Sequence, residues 1–171
     1  MTLRRPRRLR SFSYTGKYSY FVTFCTRDRK EIFDSDEHVG CVREQILRTC
    51  GERRFAIPAA VFMPDHVHLL VRGLDKDSRF MSCMTLARRR SALTYRRTFE
   101  ADLWQDGYFE RVVRDADDER GAIRYIVNNA VRRGFAGRRR IIDMRGPPRS
   151  QRGSLLPRQS PPNHPTGNTH P

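Results

Sequence analysis

The sequence lacks any apolar run of the roughly 20 residues that a membrane-spanning helix requires. Its N-terminus, "MTLRRPRRLR", is not followed by the apolar core of a signal peptide. These two absences argue against a membrane protein and against an exported one. We therefore expect a cytoplasmic protein with no membrane partner.

Cysteine is also scarce, and its spacing matches no common metal-binding motif. The chain has four cysteines and no CxxC pair, so neither a zinc ribbon nor a thioredoxin-like redox pair is indicated. Each cysteine lies in a patterned segment, which is typical of small buried hydrophobic residues in a reducing compartment. We favour that interpretation over a zinc site or disulfide bonds for Cys25, Cys41, Cys50 and Cys83.

Negative charge and lysine are the other two shortages. Nineteen acidic residues face 34 basic ones, which gives a net charge of +15, and only 3 of the basic residues are lysine while 31 are arginine. Such an excess predicts an anionic partner, with nucleic acid as the first candidate. Arginine suits phosphate because its guanidinium binds in a bidentate way. Codon bias in a GC-rich genome could explain the ratio of arginine to lysine, but it does not explain the net charge.

The length of 171 residues predicts one domain flanked by two tails. Residues 1–16 are basic and aperiodic, which indicates either a flexible arm that orders on DNA or a solvated tail. Residues 17–140 carry the patterned segments of the domain. Residues 141–171 hold seven of the ten prolines and are predicted to be a disordered tail.

The periodicity of the domain predicts an α+β fold. The order β-α-β-β-α-β-α is most simply packed as an antiparallel sheet with two helices on one face, and the third helix is left over. A turn at Pro64 and Asp65 joins two of the strands into a hairpin. The predicted strands are 17–28, 55–63, 66–73 and 103–115, the last being a strand or a short hairpin, and the predicted helices are 34–54, 77–99 and 115–134.

The stretch "FMPDHVHLLV" at 62–71 places two histidines two residues apart on a strand. Alternate residues of a strand point to opposite faces, so His66 and His68 share one face while Val67, Leu69 and Val71 share the other. The apolar face is expected to pack beneath the two helices. The histidine face could bind one cation through both rings, or the histidines could be structural.

The third helix adds two polar residues that avoid its apolar stripe. Tyr125 and Asn129 lie next to each other, because residues i and i+4 are helical neighbours. Asn129 could lend its carbonyl oxygen as a third metal ligand, and Tyr125 is a candidate nucleophile for phosphodiester cleavage. Two imidazoles and one amide would leave coordination positions open for a phosphate. The stripe itself consists of Ala122, Ile123, Ile126, Val127, Ala130 and Val131.

Three motifs in this order, "MPDHVHLLV", "LWQDGYFERVVRD" and "IRYIVNNAVRRG", resemble the REP-associated tyrosine transposases. These proteins lie within the single-tyrosine HUH transposase superfamily, which includes small insertion-sequence transposases. The resemblance runs from about Tyr14 to Phe135. The combination of the three motifs is specific, whereas no single one of them would be.

The resemblance implies a fold, a site and a reaction. The fold is an antiparallel sheet of the ferredoxin-like or RRM-like HUH type, with the tyrosine on a separate C-terminal helix. His66, His68 and Asn129 would hold Mg²⁺ or Mn²⁺, and Tyr125 would be the nucleophile. The reaction is cleavage of single-stranded DNA near hairpin-forming repeats, through a 5′-phosphotyrosine and a free 3′-OH, followed by strand transfer. Because imidazole favours later transition metals, we expect Mn²⁺ to bind more tightly than Mg²⁺.

Further candidates for contact with DNA are aromatic and basic. Trp104 either stacks on bases or packs in the core, and Arg111 and Arg114 either touch phosphates or pair with Asp115 and Asp117. The arm could grip a hairpin stem. The full set of basic candidates is Arg4, Arg5, Arg7, Arg8, Arg88, Arg89, Arg90, Arg96, Arg97, Arg111 and Arg114.

Two rival functions stay open at this point. The same fold could bind structured single-stranded DNA or RNA without cutting it, or it could be a metal-dependent phosphodiesterase in which Tyr125 takes no part. The resemblance also implies a bacterial protein that associates with the nucleoid. We expect it to act as a monomer that uses its own tyrosine helix, and a dimer is the alternative.

Overall fold

The computed structural model describes residues 11–132 and 141–144, with the backbone alone for 130–132 and 141–144. The predicted order of elements is confirmed, and one strand is added at the end. A single 3-10 turn at Arg27–Arg29 follows the first strand. The strands are β1 (Ser19–Cys25), β2 (Phe55–Met63), β3 (His66–Gly73), β4 (Phe109–Val113) and β5 (Ile141–Met144), and the helices are α1 (Asp36–Glu52), α2 (Phe80–Phe99) and α3 (Ala116–Arg132).

The five strands form one antiparallel sheet in the order β4-β1-β3-β2-β5. Strand β3 lies at its centre between β1 and β2. The register places Thr23 opposite His68 and Cys25 opposite His66. The turn at Pro64 and Asp65 joins β2 to β3, as the sequence predicts.

Two predicted boundaries are corrected by the structure. Residues 141–144 belong to the sheet rather than to the tail, because the short segment "IIDM" pairs with β2; four residues are too few for a periodic signal. Residues 12–16 pack on the domain rather than forming part of a flexible arm. The ring of Tyr14 stacks 6.0 Å from that of Phe80, and the backbone N–H of Gly16 donates to the Ser78 carbonyl at 3.0 Å.

The segment predicted as a strand or hairpin at 103–115 forms a strand only at 109–113. The residues before it close over the core as a loop, in which Leu103 and Trp104 are buried. A bridge between Thr26 and Trp104 ties this loop to the end of β1. The loop therefore seals the α1 and α2 side of the sheet next to the end of β1.

The main core lies between the sheet and the pair α1 and α2. As the strand alternation predicts, Val67, Leu69 and Val71 of β3 are all buried in it. Helix α1 begins at the N-cap Ser35, whose hydroxyl accepts from the His38 N–H. The partners that the helices bring to this core include Val42, Ile46, Phe80, Cys83 and Met84.

Helix α3 covers the opposite face of the sheet. Ala122 and Ile126 pack in a smaller core with Phe21, Val61 and Leu70. Helix α3 is the third helix, which the sequence analysis does not assign to a face. It lies on the face of β3 that carries the histidines. Val127 is 36% exposed, so the predicted apolar stripe is narrower than the sequence indicates.

The start of α3 is held by capping and by two ion pairs. The Asp115 carboxylate accepts from the Asp118 N–H at 2.8 Å, which satisfies a free donor of the first turn. Asp118 in turn pairs with Arg111 of β4 at 2.7 Å, and Glu119 pairs with Arg72 of β3. These contacts join the helix to two strands of the sheet.

The predicted burial of the cysteines is confirmed for three of the four. All four cysteines are free; Cys25, Cys50 and Cys83 are buried, and Cys41 is half-buried. Among the described residues, none of the helices has the length and apolarity needed to span a membrane.

Replacing Ile126 by Ala should loosen α3, because it removes the fully buried side chain that anchors this helix. We expect a loss of about 2–5 kcal/mol in the free energy of unfolding, together with faster amide exchange along α3. Val127→Ala, one residue further on, removes an exposed side chain and should change stability by less than about 0.5 kcal/mol. Urea unfolding and hydrogen exchange measure both; equal losses in the two variants would contradict the docking of α3.

Candidate active site

The two histidines of β3 face each other on the α3 side of the sheet. Their Nε2 atoms are 3.1 Å apart, and their ring centroids are separated by 4.6 Å. His68 is buried and His66 is half-buried. The pair therefore directs two imidazole nitrogens toward one point beside the sheet, as the i, i+2 spacing predicts.

Each histidine is oriented by a partner at its other nitrogen. The Asp65 carboxylate lies 2.6 Å from Nδ1 of His66, and the Thr23 hydroxyl lies 2.8 Å from Nδ1 of His68. A carboxylate accepts, so it places the proton of His66 on Nδ1 and leaves a lone pair on Nε2. A hydroxyl either donates or accepts, so Thr23 fits both neutral tautomers of His68: the one whose Nε2–H donates to Nε2 of His66 at 3.1 Å, and the one that would present its Nε2 lone pair to an ion. Such partners fix the ring orientation that a ligand histidine needs.

The environment of His68 favours the neutral imidazole. Burial, followed by the nearby charges of His66 and Arg29, lowers the pKa of His68 to about 3. A neutral ring at physiological pH keeps a nitrogen lone pair for an electrophile. His68 is thus held in the form that a metal ligand requires.

Tyr125 lies on α3 against the histidine pair. Its ring centroid is 5.4 Å from that of His68 and 5.7 Å from that of Phe21, both in tilted, edge-on contacts. The residue is 51% exposed, so about half of its surface is open to solvent. The structure thus brings the predicted nucleophile and the predicted ligand strand together within a single chain.

Asn129 lies one turn after Tyr125 and is half-buried. Its side-chain N–H donates to the Tyr125 carbonyl at 2.9 Å. This bond uses the amide nitrogen rather than the amide oxygen. Asn129 is therefore tied to the turn that carries the tyrosine, and its oxygen is the atom left to act as a ligand.

The arginines of the predicted basic surface of α2 differ in their exposure. Arg88 is half-buried: Nη2 donates to the Gln105 carbonyl, and the guanidinium lies 5.7 Å from the ring centroids of Phe24 and Tyr108. Helix α2 lies on the face of the sheet opposite the histidines, so its arginines do not line the site directly. Arg89, Arg96 and Arg97 are exposed, and Arg90 is half-buried.

Several of the predicted DNA-contacting arginines are engaged in ion pairs. Arg90 pairs with Glu52, and Arg96 pairs with Asp102. Arg111 pairs with Asp118, not with Asp115 or Asp117 as the sequence analysis suggests. Arg114 is exposed, while Arg4, Arg5, Arg7 and Arg8 lie outside the described residues.

Trp104 takes the second of its two predicted roles. It is 8% exposed, its indole N–H donates to the Ser91 hydroxyl at 3.0 Å, and its ring packs against Phe24 and Phe33. An indole enclosed in this way has no free face on which a base could stack. Core packing, rather than base stacking, is therefore the role that the geometry favours.

Two residues that contact the histidines are not predicted as site residues from the sequence. Asp65 is predicted from the sequence only as a turn residue, although it directly precedes His66. Thr23 reaches His68 through the pairing of β1 with β3, and no feature of the sequence gives that register. Both act on the histidines from outside the ligand set.

Comparison with known proteins identifies similar sequences and similar folds. The family described as "Transposase IS200 like" matches residues 14–129. A Haemophilus influenzae protein with the provisional name REP-associated tyrosine transposase is 26% identical over 129 residues, which cover 68% of this chain and 72% of that protein.

Two solved structures share the fold. One is a REP-associated tyrosine transposase bound to a REP hairpin, 23% identical, with a TM-score of 0.61 over 76% of each chain. The other is a Deinococcus radiodurans protein provisionally named a transposase, 20% identical, with a TM-score of 0.50 over 72% of this chain and 97% of that one. Because the family match spans more than half of the sequence, the chain belongs to the IS200-like transposase family.

Proposed function

We propose that this protein is a metal-dependent transposase that cleaves and rejoins single-stranded DNA near hairpin-forming repeats, with Tyr125 as the nucleophile. The observation that carries the proposal is the contact between Tyr125 and His68 on the α3 side of the sheet, at 5.4 Å between ring centroids. A nucleophile and a pair of electrophile-binding groups in one place are what phosphoryl transfer requires.

In the proposed reaction the Tyr125 oxygen attacks the scissile phosphorus. The bond from phosphorus to the 3′ oxygen breaks, which leaves a 5′-phosphotyrosine and a free 3′-OH. The tyrosine gives up its proton, and the departing 3′ oxygen gains one. A 3′-OH can then attack the phosphotyrosine in the reverse sense, so strands are exchanged without an external energy source, because each step makes one ester bond and breaks another.

A divalent cation fits the residues that are present. Two nitrogens that each lie about 2.1 Å from a shared ion, at adjacent corners of an octahedron, are about 3.0 Å apart, and the two Nε2 atoms are 3.1 Å apart. The described residues contain no cluster of three His, Cys, Asp or Glu side chains that could hold a metal. The family resemblance adds the side-chain oxygen of Asn129 as the third ligand from the protein.

We assign His66, His68 and Asn129 to Mg²⁺ or Mn²⁺. When bound, such an ion withdraws charge from a phosphate oxygen and makes the phosphorus more electrophilic. Asp65 and Thr23 hold the two rings in place. Asn129 adds a link of its own, because the same side chain that would face the ion is bonded to the backbone of Tyr125.

Single-stranded DNA with hairpin repeats is the proposed partner. The net charge of +15 supports an anionic ligand, and the solved structure of the same fold holds a REP hairpin. Tyr125 meets the histidines of its own chain, which supports a monomer as the cleaving unit and leaves a dimer as the alternative. We place its action in the cytoplasm, on DNA of the nucleoid.

Tyr125→Phe should abolish a covalent protein–DNA adduct without weakening DNA binding, because it removes only the attacking oxygen. The measurement incubates the full chain with a single-stranded repeat and Mn²⁺ and resolves the products on a denaturing gel. Tyr18→Phe is the matched control: Tyr18 is 44% exposed and lies near the far end of β3, where its carbonyl bonds Gly73.

The controls also separate the rival functions. Cleavage that persists in Tyr125→Phe would favour a phosphodiesterase that does not use this residue. Binding without any cleavage by the wild type would favour a binding module for structured DNA or RNA.

Chelation should abolish the adduct, since the phosphate would lose its charge-withdrawing partner. Added Mn²⁺ should restore it at lower concentration than Mg²⁺ does, because imidazole ligands favour later transition metals. The measurement titrates each ion into the metal-free protein and follows adduct formation. Equal or stronger activation by Mg²⁺ at limiting metal would contradict the predicted preference.

Binding of a labelled single-stranded hairpin should weaken steeply as salt rises, because each arginine that neutralises a phosphate releases a counterion. The logarithm of the association constant should fall linearly with the logarithm of salt concentration between about 50 and 200 mM. Fluorescence anisotropy follows the binding. A flat response would remove the argument from charge.

A further inference from the structure

The 3-10 turn after β1 is strained at two successive residues. Asp28 has a φ of 54° and Arg29 a φ of 57°, and neither is glycine. A side chain with a Cβ atom rarely adopts this left-handed region, and two such residues in a row are rarer still. Strain of this kind persists only where surrounding contacts fix it, and it is concentrated at functional sites.

Three hydrogen bonds tie this segment to the hairpin turn before His66, while the backbone N–H of Arg27 donates elsewhere, to the Leu103 carbonyl at 2.9 Å. The backbone N–H of Thr26 donates to the Asp65 carbonyl at 3.0 Å, and the Thr26 hydroxyl donates to the same oxygen at 3.0 Å. The backbone N–H of Phe33 donates to the Pro64 carbonyl, also at 3.0 Å. The segment 26–33 therefore wraps around the turn that precedes the candidate metal ligands.

The side chain of Arg29 completes this connection. Its guanidinium forms an ion pair with Oδ2 of Asp65 at 2.8 Å, while the other carboxylate oxygen, Oδ1, accepts from His66. A second guanidinium nitrogen donates to the Cys25 sulfur at 2.8 Å. Burial raises the pKa of the Cys25 thiol, so Arg29 meets a neutral sulfur on one side and a carboxylate on the other.

We infer that Arg29 is a positioning residue for the proposed metal site, acting on His66 through Asp65; this role rests on the proposed function. The fork of Arg29 spans two strands, since Cys25 ends β1 and Asp65 precedes β3. It fixes the rotation of the carboxylate, which in turn fixes the ring of His66 with Nε2 toward His68. The left-handed backbone at Asp28 and Arg29 places this guanidinium between Asp65 and Cys25.

The loss of Arg29 should change metal affinity in opposite directions, depending on whether Arg29 acts through its charge or by orienting His66. The inference is therefore testable. Arg29 carries a positive charge near a cation site, so removing that charge alone should strengthen metal binding. Removing a group that orients a ligand should weaken it, by about 10- to 100-fold for partners of this type. The sign of the change in affinity therefore distinguishes the two.

The test compares Arg29→Met with Arg27→Met in the full-length, DNA-free protein, with Mn²⁺ binding measured by calorimetry. Arg27 is a close match: it lies in the same turn, and its side chain is 47% exposed, as is that of Arg29, but its ion pair at 3.5 Å is with Asp102. We expect Arg29→Met to weaken Mn²⁺ binding at least about 10-fold and Arg27→Met to leave it unchanged or slightly tighter. Arg29→Lys, which keeps the charge but cannot bridge both partners, should fall between the two.

A second readout needs no metal. Nitrogen NMR of the metal-free protein should show the His66 proton on Nδ1 in the wild type and in Arg27→Met, and a mixture of tautomers in Arg29→Met. Wild-type binding of Mn²⁺ with no loss in Arg29→Met, or an unchanged tautomer, would overturn the role of Arg29 alone. Failure of the wild type to bind Mn²⁺ would overturn the metal site and this inference with it.

Discussion

Strand β3 has two unlike faces, and the arrangement of the molecule depends on keeping each face in its own layer. One face is hydrocarbon and packs under α1 and α2; the other carries His66 and His68 and lies under α3. A shift of one residue in register would exchange the faces and bury both imidazoles in the main core. The antiparallel pairing of β3 with β1 on one side and β2 on the other prevents that shift. The positions of the two histidines therefore depend on the register at the centre of the sheet.

Helix α3 turns this two-faced strand into a candidate cleavage site. Ile126 fastens the helix to the sheet, and the ion pairs of Asp118 and Glu119 hold its first turns. Tyr125 precedes Ile126 directly, so the anchored residue and the exposed, proposed nucleophile share one turn.

The fold was largely predictable because its signals are periodic. Alternation in β3 and the apolar stripes of the helices gave the elements and the two faces, and the motifs gave Tyr125 and Asn129. What could not be predicted depends on contacts distant in sequence. Only once the strands are in register does β5 pair with β2, does Arg88 bond to Gln105, and do Thr23 and Asp65 bond to the histidines.

The central claim is that the histidines of β3 and the tyrosine of α3 form one DNA-cleaving centre. Peptide mapping by mass spectrometry, applied to the denatured product of the full chain with Mn²⁺ and a single-stranded repeat, tests it most directly. The account predicts a nucleotide joined through phosphate to the peptide that contains Tyr125. A nucleotide joined to any other residue, or cleaved DNA with no joined peptide, would contradict it.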